Sequence, residues 1–471
     1  MSTVPAKIFT HASVITMNPA REIIDDGAVV VSGDRIEAVG KTSELRARYA
    51  GAEEIDVSGH IVLPGLVDTH VHLAQTMLRG VSEGKRLAEF SNWLFGRIFP
   101  LQGSYTEADA AASARLAVLE MIKSGTTSFV ECLLAERYGF DGIAEACVSS
   151  GIRAALGKIV MAVSPETRDE LGWHHGMWQT RESSIAQTLE AHDRWEGAGD
   201  GRLQVWFGCR SAEPACDLSL YDEVSELARE RGMGITIHLA ELPSDNDFAR
   251  SLGFRSHVEL AGGHGLLGPR TVLAHCTVAD DDDHELLPAT GTSVSHNPAN
   301  NASAAWGPAA VTDMLAAGVN VALGCDAAPS NANLDVLRDM RIACHSARQR
   351  AGTRLAIGPE TVLEMATLNG ARAIGLGDSL GSLEPNKKAD FITIDTDAPH
   401  LQPAWNPVAT TVFAAQGSDV DTVVINGQVV MRDRVALTMD EAAVLDDVKA
   451  RFRAVADRAG VTGLESEWPT V

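Results

Sequence analysis

The sequence predicts an α/β protein, a (β/α)₈ barrel of the TIM type joined to a small β-sandwich domain that both ends of the chain build. Three observations lead to this prediction. Eight apolar segments in the middle of the chain alternate with amphipathic ones, short β patterns occupy both ends, and histidines or acids follow several of the apolar segments. Alternating strands and helices are typical of parallel sheets, and eight repeats can close into a barrel. The length of 471 residues accommodates such a barrel with insertions.

Residues 1–63 are predicted to form the N-terminal part of the β-sandwich, and residues 385–439 its C-terminal part. Both stretches consist of short β patterns separated by turn signals. The second stretch contains Asn426-Gly427, which is the strongest short hairpin signal. The predicted strands are 8–17, 27–31, 35–39, 60–62, 390–395 and 420–425.

Residues 64–384 are predicted to form the barrel. Amphipathic helices are expected at 108–124, 220–231 and 309–317, each followed by a glycine, the usual residue after a helix end. The eight barrel strands are expected at 65–73, 126–132, 153–161, 203–209, 234–241, 271–276, 291–298 and 320–327.

Residues 440–471 are expected to form a helix and a tail, packed on the outside of the barrel or against a partner subunit. We expect a homo-oligomer.

Composition limits the classes of partner. The formal charge of −24 disfavours nucleic acids and anionic membrane surfaces, because both would be repelled. Seven cysteines without a CxxC pair argue against a disulfide framework. Residues 1–21 lack the pattern of a signal peptide, and no window has the roughly 18 apolar residues that span a bilayer. We therefore expect a cytoplasmic protein.

Two histidines separated by one residue close the first predicted barrel strand. Side chains at positions i and i+2 of a strand point the same way, so His70 and His72 share a face. Three later strands end in His238, His275 and Asp326. Imidazole and carboxylate groups suit zinc or ferrous iron, and a barrel gathers the C-terminal ends of its strands at one face. The pattern indicates a metal site, although the first pair taken alone fits two hydrogen-bonded core histidines better.

Two carboxylates accompany these histidines. Glu241 follows His238 by three residues, where the strand becomes a loop. A carboxylate beside a metal-bound water can take a proton and later pass one to a leaving group. A surface glutamate at a loop start is the alternative. Asp326 ends the apolar segment 319–324, and a lone buried acid is costly unless it is paired or bound to a metal.

Five spaced motifs resemble the amidohydrolase superfamily. Within it they are similar to the subgroup of S-adenosylhomocysteine and methylthioadenosine deaminases, guanine-type deaminases, atrazine chlorohydrolase and melamine deaminase. The motifs occur in the family's order and bear more strongly on fold than on substrate. They are Pro64-Gly-Leu-Val-Asp-Thr-His-Val-His72, His238-Leu-Ala-Glu241, Ala274-His-Cys276, Val294-Ser-His-Asn-Pro298 and Gly324-Cys-Asp326 with Ser330-Asn331.

The resemblance implies one divalent metal ion per chain, Zn²⁺ with Fe²⁺ as the alternative, held by His70, His72, His238 and Asp326. His275 would either ligate the ion or orient its water. The fourth strand lacks the lysine with which two-metal relatives bridge their ions, which favours a single ion.

The resemblance also implies Glu241, His275 and Asp326 as catalytic residues of a hydrolytic deaminase. The reaction would replace an exocyclic amino group of a purine, pterin, pyrimidine or triazine by a carbonyl and release ammonia. The same site with a chloride, alkylamine or amide leaving group is an alternative. A non-catalytic binding relative is a further one, disfavoured because every ligand-type residue is present.

Five residues are candidates for binding the heterocyclic substrate. Aromatic Trp93 could stack on a planar ring or belong to the core. His296 could hydrogen-bond a ring nitrogen of the substrate, or lie behind the metal ligands. Arg210 could bind a carbonyl or carboxylate of the substrate, or pair with Glu213. Ser330 and Asn331 are expected to shape the pocket.

Two departures from the resemblance concern a ribose. Nucleoside deaminases of this group carry a carboxylate just before the tryptophan and end strand four in a histidine, whereas this chain has Ser91, Asn92 and Arg210. We therefore expect free heterocycles with a carbonyl or acidic group to be better substrates than adenosine-type nucleosides.

Overall fold

The computed structural model describes residues 6–81, 93–211 and 217–464. In these residues seventeen strands form two sheets, one of nine strands and one of eight. The (β/α)₈ barrel with a second β unit made from both ends of the chain is thereby confirmed. The boundaries 1–63, 64–384, 385–439 and 440–471 stay a proposal.

The eight-stranded sheet is the barrel, and its strands pair in parallel in chain order from β6 to β13. The isolated parallel bridge between Val71 and Asp326 joins the last strand to the first and closes the barrel. The Asp326 amide donates to the His70 carbonyl at 2.7 Å across this seam. The strands are β6 Leu66–Val71, β7 Thr126–Leu134, β8 Arg153–Val160, β9 Leu203–Cys209, β10 Ile235–Leu239, β11 Thr271–His275, β12 Ser293–His296 and β13 Asn320–Leu323.

The nine-stranded sheet has the order β17-β16-β15-β14-β5-β1-β2-β3, with β4 paired to β1. Phe9 of β1 and Phe391 of β14, which lie on the two sides of β5, meet edge to face with ring centroids 4.9 Å apart. The predicted hairpin at Asn426-Gly427 joins β15 to β16, and both residues have the positive φ that this turn requires. The strands are β1 Lys7–Ile15, β2 Ile23–Ser32, β3 Arg35–Lys41, β4 Glu53–Asp56, β5 His60–Pro64, β14 Phe391–Asp395, β15 Val420–Ile425, β16 Gln428–Arg432 and β17 Val435–Ala436.

Helices follow most barrel strands and cover the sheet from outside. Many begin at a polar residue that accepts from a backbone amide of the first turn, as Thr106 does from Asp109. The α-helices are α1 Thr42–Arg48, α2 Phe99–Gly103, α3 Glu107–Lys123, α4 Phe140–Ser150, α5 Pro165–Leu171, α6 Arg181–Trp195, α7 Ser219–Arg231, α8 Pro243–Ser251, α9 His257–Gly263, α10 Asp281–Thr290, α11 Pro298–Ser303, α12 Val311–Ala316, α13 Ala328–Asn331, α14 Val336–Ala351, α15 Pro359–Glu364, α16 Gly370–Ala373, α17 Pro407–Phe413 and α18 Glu441–Ala459. Shorter or irregular helical segments are Leu73–Leu78, Leu94–Ile98, Glu136–Tyr138, His175–Met177, Ala198–Gly201, Met365–Asn369 and Gly417–Asp419.

Ion pairs attach the ends of the chain to the barrel. Arg153 of β8 and Asp390, the residue before β14, form a pair with Nη2–Oδ2 at 3.1 Å, and both side chains are buried. Helix α18 lies on α3, where Arg115 pairs with Asp447 at 2.8 Å and Lys123 with Glu441 at 2.8 Å. No helix in the described ranges combines the length and the apolar character that crossing a membrane requires.

Candidate active site

The four predicted metal ligands meet at the C-terminal end of the barrel. His72 Nε2 lies 3.3 Å from His238 Nε2 and 3.3 Å from Asp326 Oδ1. His70 Nε2 lies 3.5 Å from the same carboxylate oxygen. Four donors around one zinc ion, each about 2.1 Å from it, would be about 3.4 Å apart. The cluster therefore has the dimensions of a mononuclear metal site.

The protonation states of these donors also suit a cation. Burial, and then the charge of His70, lowers the pKa of His72 to about 3, and the same causes lower the pKa of His238. Neutral imidazoles keep the lone pair that a metal needs. Burial alone would raise the pKa of Asp326, but the facing His70, His275 and His72 together outweigh it and lower this pKa, so that the carboxylate stays ionised.

His70 gives the most direct indication that the cluster needs a further partner. Its side chain is fully buried, and neither ring nitrogen has a hydrogen bond to another described residue. A buried imidazole without partners loses the hydrogen bonds it had in water, a cost that a metal–nitrogen bond would offset. Potential ligand atoms form two overlapping groups, and within each group they lie within 4.8 Å of one another. The first group comes from His70, His238 and His275, and the second from His70, His72 and Asp326.

Glu241 and His275 face each other at the edge of the cluster. His275 Nε2 is 3.6 Å from Glu241 Oε1 and 3.5 Å from Asp326 Oδ2. Burial, followed by the charge of Asp245, raises the pKa of Glu241 to about 8. A carboxyl group with such a pKa, directed into a cleft beside possible metal ligands, is suited to proton transfer.

A cavity of about 480 Å³ opens from this cluster towards solvent. Trp93, Phe99, Trp173 and Trp306 contribute aromatic rings to its wall. Trp306 stands edge to face against His275, with ring centroids 5.4 Å apart. Planar aromatic walls beside a polar floor fit a flat heterocycle whose reacting atom points at the floor.

Three of the five predicted substrate-binding residues line this cavity, and two do not. Trp93, Arg210 and Ser330 reach it, and the Arg210 guanidinium lies over the rings of Phe99 and Trp173, at 5.9 and 5.5 Å. Asn331 instead turns into the protein. Its Nδ2 donates to the Cys325 carbonyl at 2.6 Å and to Asp339 Oδ2 at 3.0 Å, so it holds the loop after β13.

His296 is buried at the end of β12 and is not among the residues that line the cavity. The predicted contact with a substrate ring nitrogen therefore has no support in the geometry, and a place behind the ligands describes this residue better. Glu213, Ser91 and Asn92 lie outside the described residues.

Glu131 is a site residue that the sequence analysis missed. It lines the cavity from within the second half of β7, with Oε1 4.0 Å from His72 Nδ1. Oε2 accepts from the Leu73 amide at 2.5 Å and Oε1 from the Leu133 amide at 3.0 Å, so the carboxylate ties the turn that carries His72 to β7. The available signal was an acid within the apolar second half of this strand, between Val130 and Cys132.

Trp306 and Trp173 were missed as well, and here no signal was available. Both occur in irregular segments without periodicity and reach the cavity because their loops fold back over the barrel. The segment after β8, which includes His174 and His175, covers one side of the cavity with Trp173 and Met177. Lys158 lies away from the cluster, where its ammonium donates to Gln179 Oε1 at 2.9 Å.

Comparisons with known proteins agree with this geometry. The sequence profile described as the amidohydrolase family matches residues 61–430. A protein named 5'-deoxyadenosine deaminase from Methanosarcina acetivorans is 34% identical over 452 residues, 96% of this chain and 99% of that protein. One named 5-methylthioadenosine/S-adenosylhomocysteine deaminase from Syntrophobacter fumaroxidans is 36% identical over 449 residues, 95% of this chain and 97% of that protein.

Solved structures with the same fold include two zinc-containing ones. An adenosine deaminase from Xanthomonas campestris with bound zinc superposes with a TM-score of 0.86 at 28% identity, covering 96% of this chain and 98% of that one. An atrazine chlorohydrolase from Arthrobacter aurescens complexed with zinc has a TM-score of 0.85 at 22% identity and covers 95% of this chain and 100% of that one. The second likeness is one of fold alone.

Proposed function

This chain belongs to the amidohydrolase family, and we propose that it hydrolyses the exocyclic amino group of an adenine-type purine to a carbonyl, with release of ammonia. The observation that carries the proposal is the position of Glu241. Its carboxyl group lies at the edge of the His–Asp cluster, 3.6 Å from His275 Nε2, at the floor of a cavity with aromatic walls. A proton carrier is thus located where a ring would present its amino group.

The enzyme is metal-dependent, as its family is. We assign one Zn²⁺ per chain to His70, His72, His238 and Asp326, which the 3.3 to 3.5 Å separations of their donor atoms support. A divalent ion bound there supplies Lewis acidity that lowers the pKa of a water from about 16 to about 7.

The protein groups then move the protons. Glu241 takes a proton from the attacking water as its oxygen bonds to the ring carbon, and later gives a proton to the exocyclic nitrogen. The carbon–nitrogen bond breaks and ammonia leaves. The second proton of the water moves from the new hydroxyl to the adjacent ring nitrogen, which leaves a ring carbonyl. The other O–H of this water donates to His275 Nε2, which lies 3.5 Å from Asp326 Oδ2, and this hydrogen bond holds the water in line with the ring carbon.

For the substrate we propose adenosine-type nucleosides such as 5'-deoxyadenosine, because proteins with such names match this chain over almost its whole length. This replaces the expectation of free heterocycles, which depended on Arg210 and on two residues outside the described ranges. Arg210 is compatible with either class, since a guanidinium donates to a ring nitrogen as well as to an oxygen. The aromatic wall formed by Trp93, Phe99 and Trp173 would hold the base.

The test is ammonia release from 5'-deoxyadenosine, adenosine and S-adenosylhomocysteine against guanine, a pterin and an aminotriazine, measured as kcat/KM. We expect nucleosides to exceed the free bases by about tenfold or more, which corresponds to about 1.4 kcal/mol. Arg210→Ala should lower kcat/KM for the preferred class. A preference for free bases would overturn the substrate assignment, and product without stoichiometric ammonia would overturn the reaction.

The metal assignment has its own test. Purified protein should contain about one zinc per chain, and His70→Ala should lose it. His60→Ala is the matched control, because this histidine bonds to Thr393 on the terminal sheet and not to the cluster. Two ions per chain, or full zinc content in His70→Ala, would contradict the assignment.

A further inference from the structure

The side of His275 that faces away from the cavity has an arrangement that the proposed function does not use. His275 Nδ1 lies 2.9 Å from Asn301 Oδ1 and 3.3 Å from Asn297 Nδ2. The first group can only accept a hydrogen bond and the second can only donate one. The Nδ1 atom therefore faces both an acceptor and a donor. It can donate to Asn301 only when it carries the proton, and it can accept from Asn297 only when the proton is on Nε2.

Asn297 belongs to a buried polar chain that sets its direction. Ser295 Oγ lies 2.7 Å from Thr69 Oγ1 and donates to Asn297 Oδ1 at 3.1 Å, which turns the Asn297 amino group towards His275. Gly324 leaves the space for this chain, because a Cβ at Gly324 would come within 2.4 Å of Asn297 Oδ1 and 2.5 Å of Ser295 Oγ.

Asn301 has no such second anchor. It lies in the short helix α11, its side chain is buried, and its Nδ2 makes no hydrogen bond with any other residue in the described ranges. Its Oδ1 is directed at His275 Nδ1 at the shorter of the two distances. The Nδ1–H tautomer satisfies this contact, whereas the Nε2–H tautomer would leave a buried carbonyl oxygen beside a lone pair.

We propose that Asn301 is a positioning residue that holds His275 in the Nδ1–H tautomer, with Asn297 supporting the competing Nε2–H form. The inference rests on the proposed deamination for its kinetic consequence only. With the proton on Nδ1, Nε2 presents a lone pair to the cavity and accepts a hydrogen bond from the attacking water. With the proton on Nε2, that acceptor is lost and the water is no longer oriented.

The test compares Asn301→Leu, which removes the acceptor at similar volume, with Asn301→Asp, which keeps it. We expect Asn301→Leu to lower kcat by about 10- to 100-fold while KM changes less than about threefold, since partners behind site histidines have effects of this size. Asn301→Asp should keep kcat within about tenfold. Asn369→Leu is the matched control, because this buried amide bonds to the Val321 carbonyl outside the cavity.

Nitrogen-15 NMR of histidine-labelled protein reads the tautomer independently of turnover. His275 signals are assigned by their absence from His275→Gln, and spectra are recorded for metal-free and zinc-loaded protein. We expect a protonated Nδ1 in wild type and in Asn301→Asp, and a protonated Nε2 in Asn301→Leu, where Asn297 remains.

An unchanged tautomer in Asn301→Leu would overturn the inference, as would a loss of kcat in Asn369→Leu equal to that in Asn301→Leu. If no aminopurine releases ammonia, the proposed function fails, while the NMR comparison still decides the role of Asn301.

Discussion

At the scale of single residues, Glu241 has the surroundings of a proton carrier. Its carboxyl group is largely shielded from solvent, and burial raises its pKa to about 8. It lies 3.6 Å from His275 Nε2, and His275 and Asp326 are both buried at the end of the barrel. Removing its proton-transfer ability should therefore affect turnover far more than folding.

Glu241→Gln should lower kcat by about 10²- to 10⁴-fold, the usual contribution of a general acid–base, because the amide keeps the shape but carries no exchangeable acidic proton. Zinc content and the midpoint of thermal unfolding should stay within error of wild type. Glu226→Gln, on the exposed face of α7, serves as the control. Near-normal turnover in Glu241→Gln would transfer the role to Asp326.

Lys158 gives a pH-dependent prediction away from the site. Its ammonium is buried, and burial lowers its pKa to about 8. An unfolded lysine has a pKa of about 10.4, so between about pH 8 and 10.4 the unfolded chain binds a proton that the folded chain has released. The free energy of unfolding should therefore rise with pH across this window, by about 3 kcal/mol in all.

Urea unfolding of wild type and Lys158→Met between about pH 7.5 and 10.5 tests this. The stability of wild type relative to Lys158→Met should increase with pH, because methionine has no proton to release. Lys449→Met, at an exposed position on α18, should run parallel to wild type. Parallel curves for Lys158→Met as well would contradict the pKa assigned to this lysine.

Site residues could be predicted from the sequence where short spacings along the chain mark them, and not where distant loops bring them to the site. The metal donors lie at strand ends with short spacings, so the sequence predicts His70, His72, His238 and Asp326 as neighbours, and the structure brings them together. His296 carries the same signal but does not reach the cavity. Residues such as Trp306 come from loops that fold back over the barrel, and no periodicity reports that path.

At the scale of elements, six of the eight barrel strands are shorter than the apolar patterns suggest, whereas β7 is longer and β9 has the predicted bounds. The pattern 320–327 predicts a strand through Asp326, whereas β13 ends at Leu323. Left-handed backbone occurs at these strand ends: His275, the last residue of β11, has φ 75°, and Asp326, beyond the end of β13, has φ 64°, so regular strand geometry does not continue past them. Non-glycine residues in this conformation store strain, and it is found where side chains must be directed into a site.

Glu131 connects two such element ends and yields a prediction at this scale. Glu131→Gln replaces one accepting oxygen by an amino group, so that either the Leu73 or the Leu133 amide loses its acceptor. An unpaired buried amide costs about 1–3 kcal/mol, and the turn that carries His72 loosens. We expect urea unfolding to show this decrease in the free energy of unfolding, and we expect zinc affinity to fall by about tenfold.

Zinc affinity is measured by competition with a chromophoric chelator. Glu136→Gln, which changes a glutamate on the neighbouring segment that bonds to Gln187, is the control. Unchanged stability and zinc affinity in Glu131→Gln would contradict the role of Glu131 in holding the turn that carries His72.

At the scale of the whole molecule, one buried ion pair joins the two sheets. Arg153 on β8 contacts both oxygens of Asp390, at 3.1 and 3.2 Å from Nη2, and Asp390 also accepts from the Asn426 amide at 2.7 Å. The side chains are 4% and 3% exposed, so water cannot replace either partner if the other is removed. The joint fixes the terminal sheet to the barrel.

The expected homo-oligomer and cytoplasmic location remain predictions. Light scattering can decide the first of them.

Asp390→Asn should lower the free energy of unfolding by about 3–5 kcal/mol, because it leaves the Arg153 charge buried without a counter-ion. Asp247→Asn, in the exposed pair with Arg250, should change it by less than about 1 kcal/mol. Urea unfolding measures both. An Asp390→Asn variant as stable as the control variant would show that water reaches this joint.

The seam between β6 and β13 also orders events in time during synthesis. His70 and His72 leave the ribosome long before Asp326, and the backbone bond from the Asp326 amide to the His70 carbonyl forms only after the eighth strand is made. Parallel pairing between such distant segments forms slowly. A nascent chain thus carries two exposed histidines through most of its translation and gains its fourth metal donor only near residue 326. With the proposed zinc assignment, zinc capture is a late step, and chains arrested before that point should emerge metal-free.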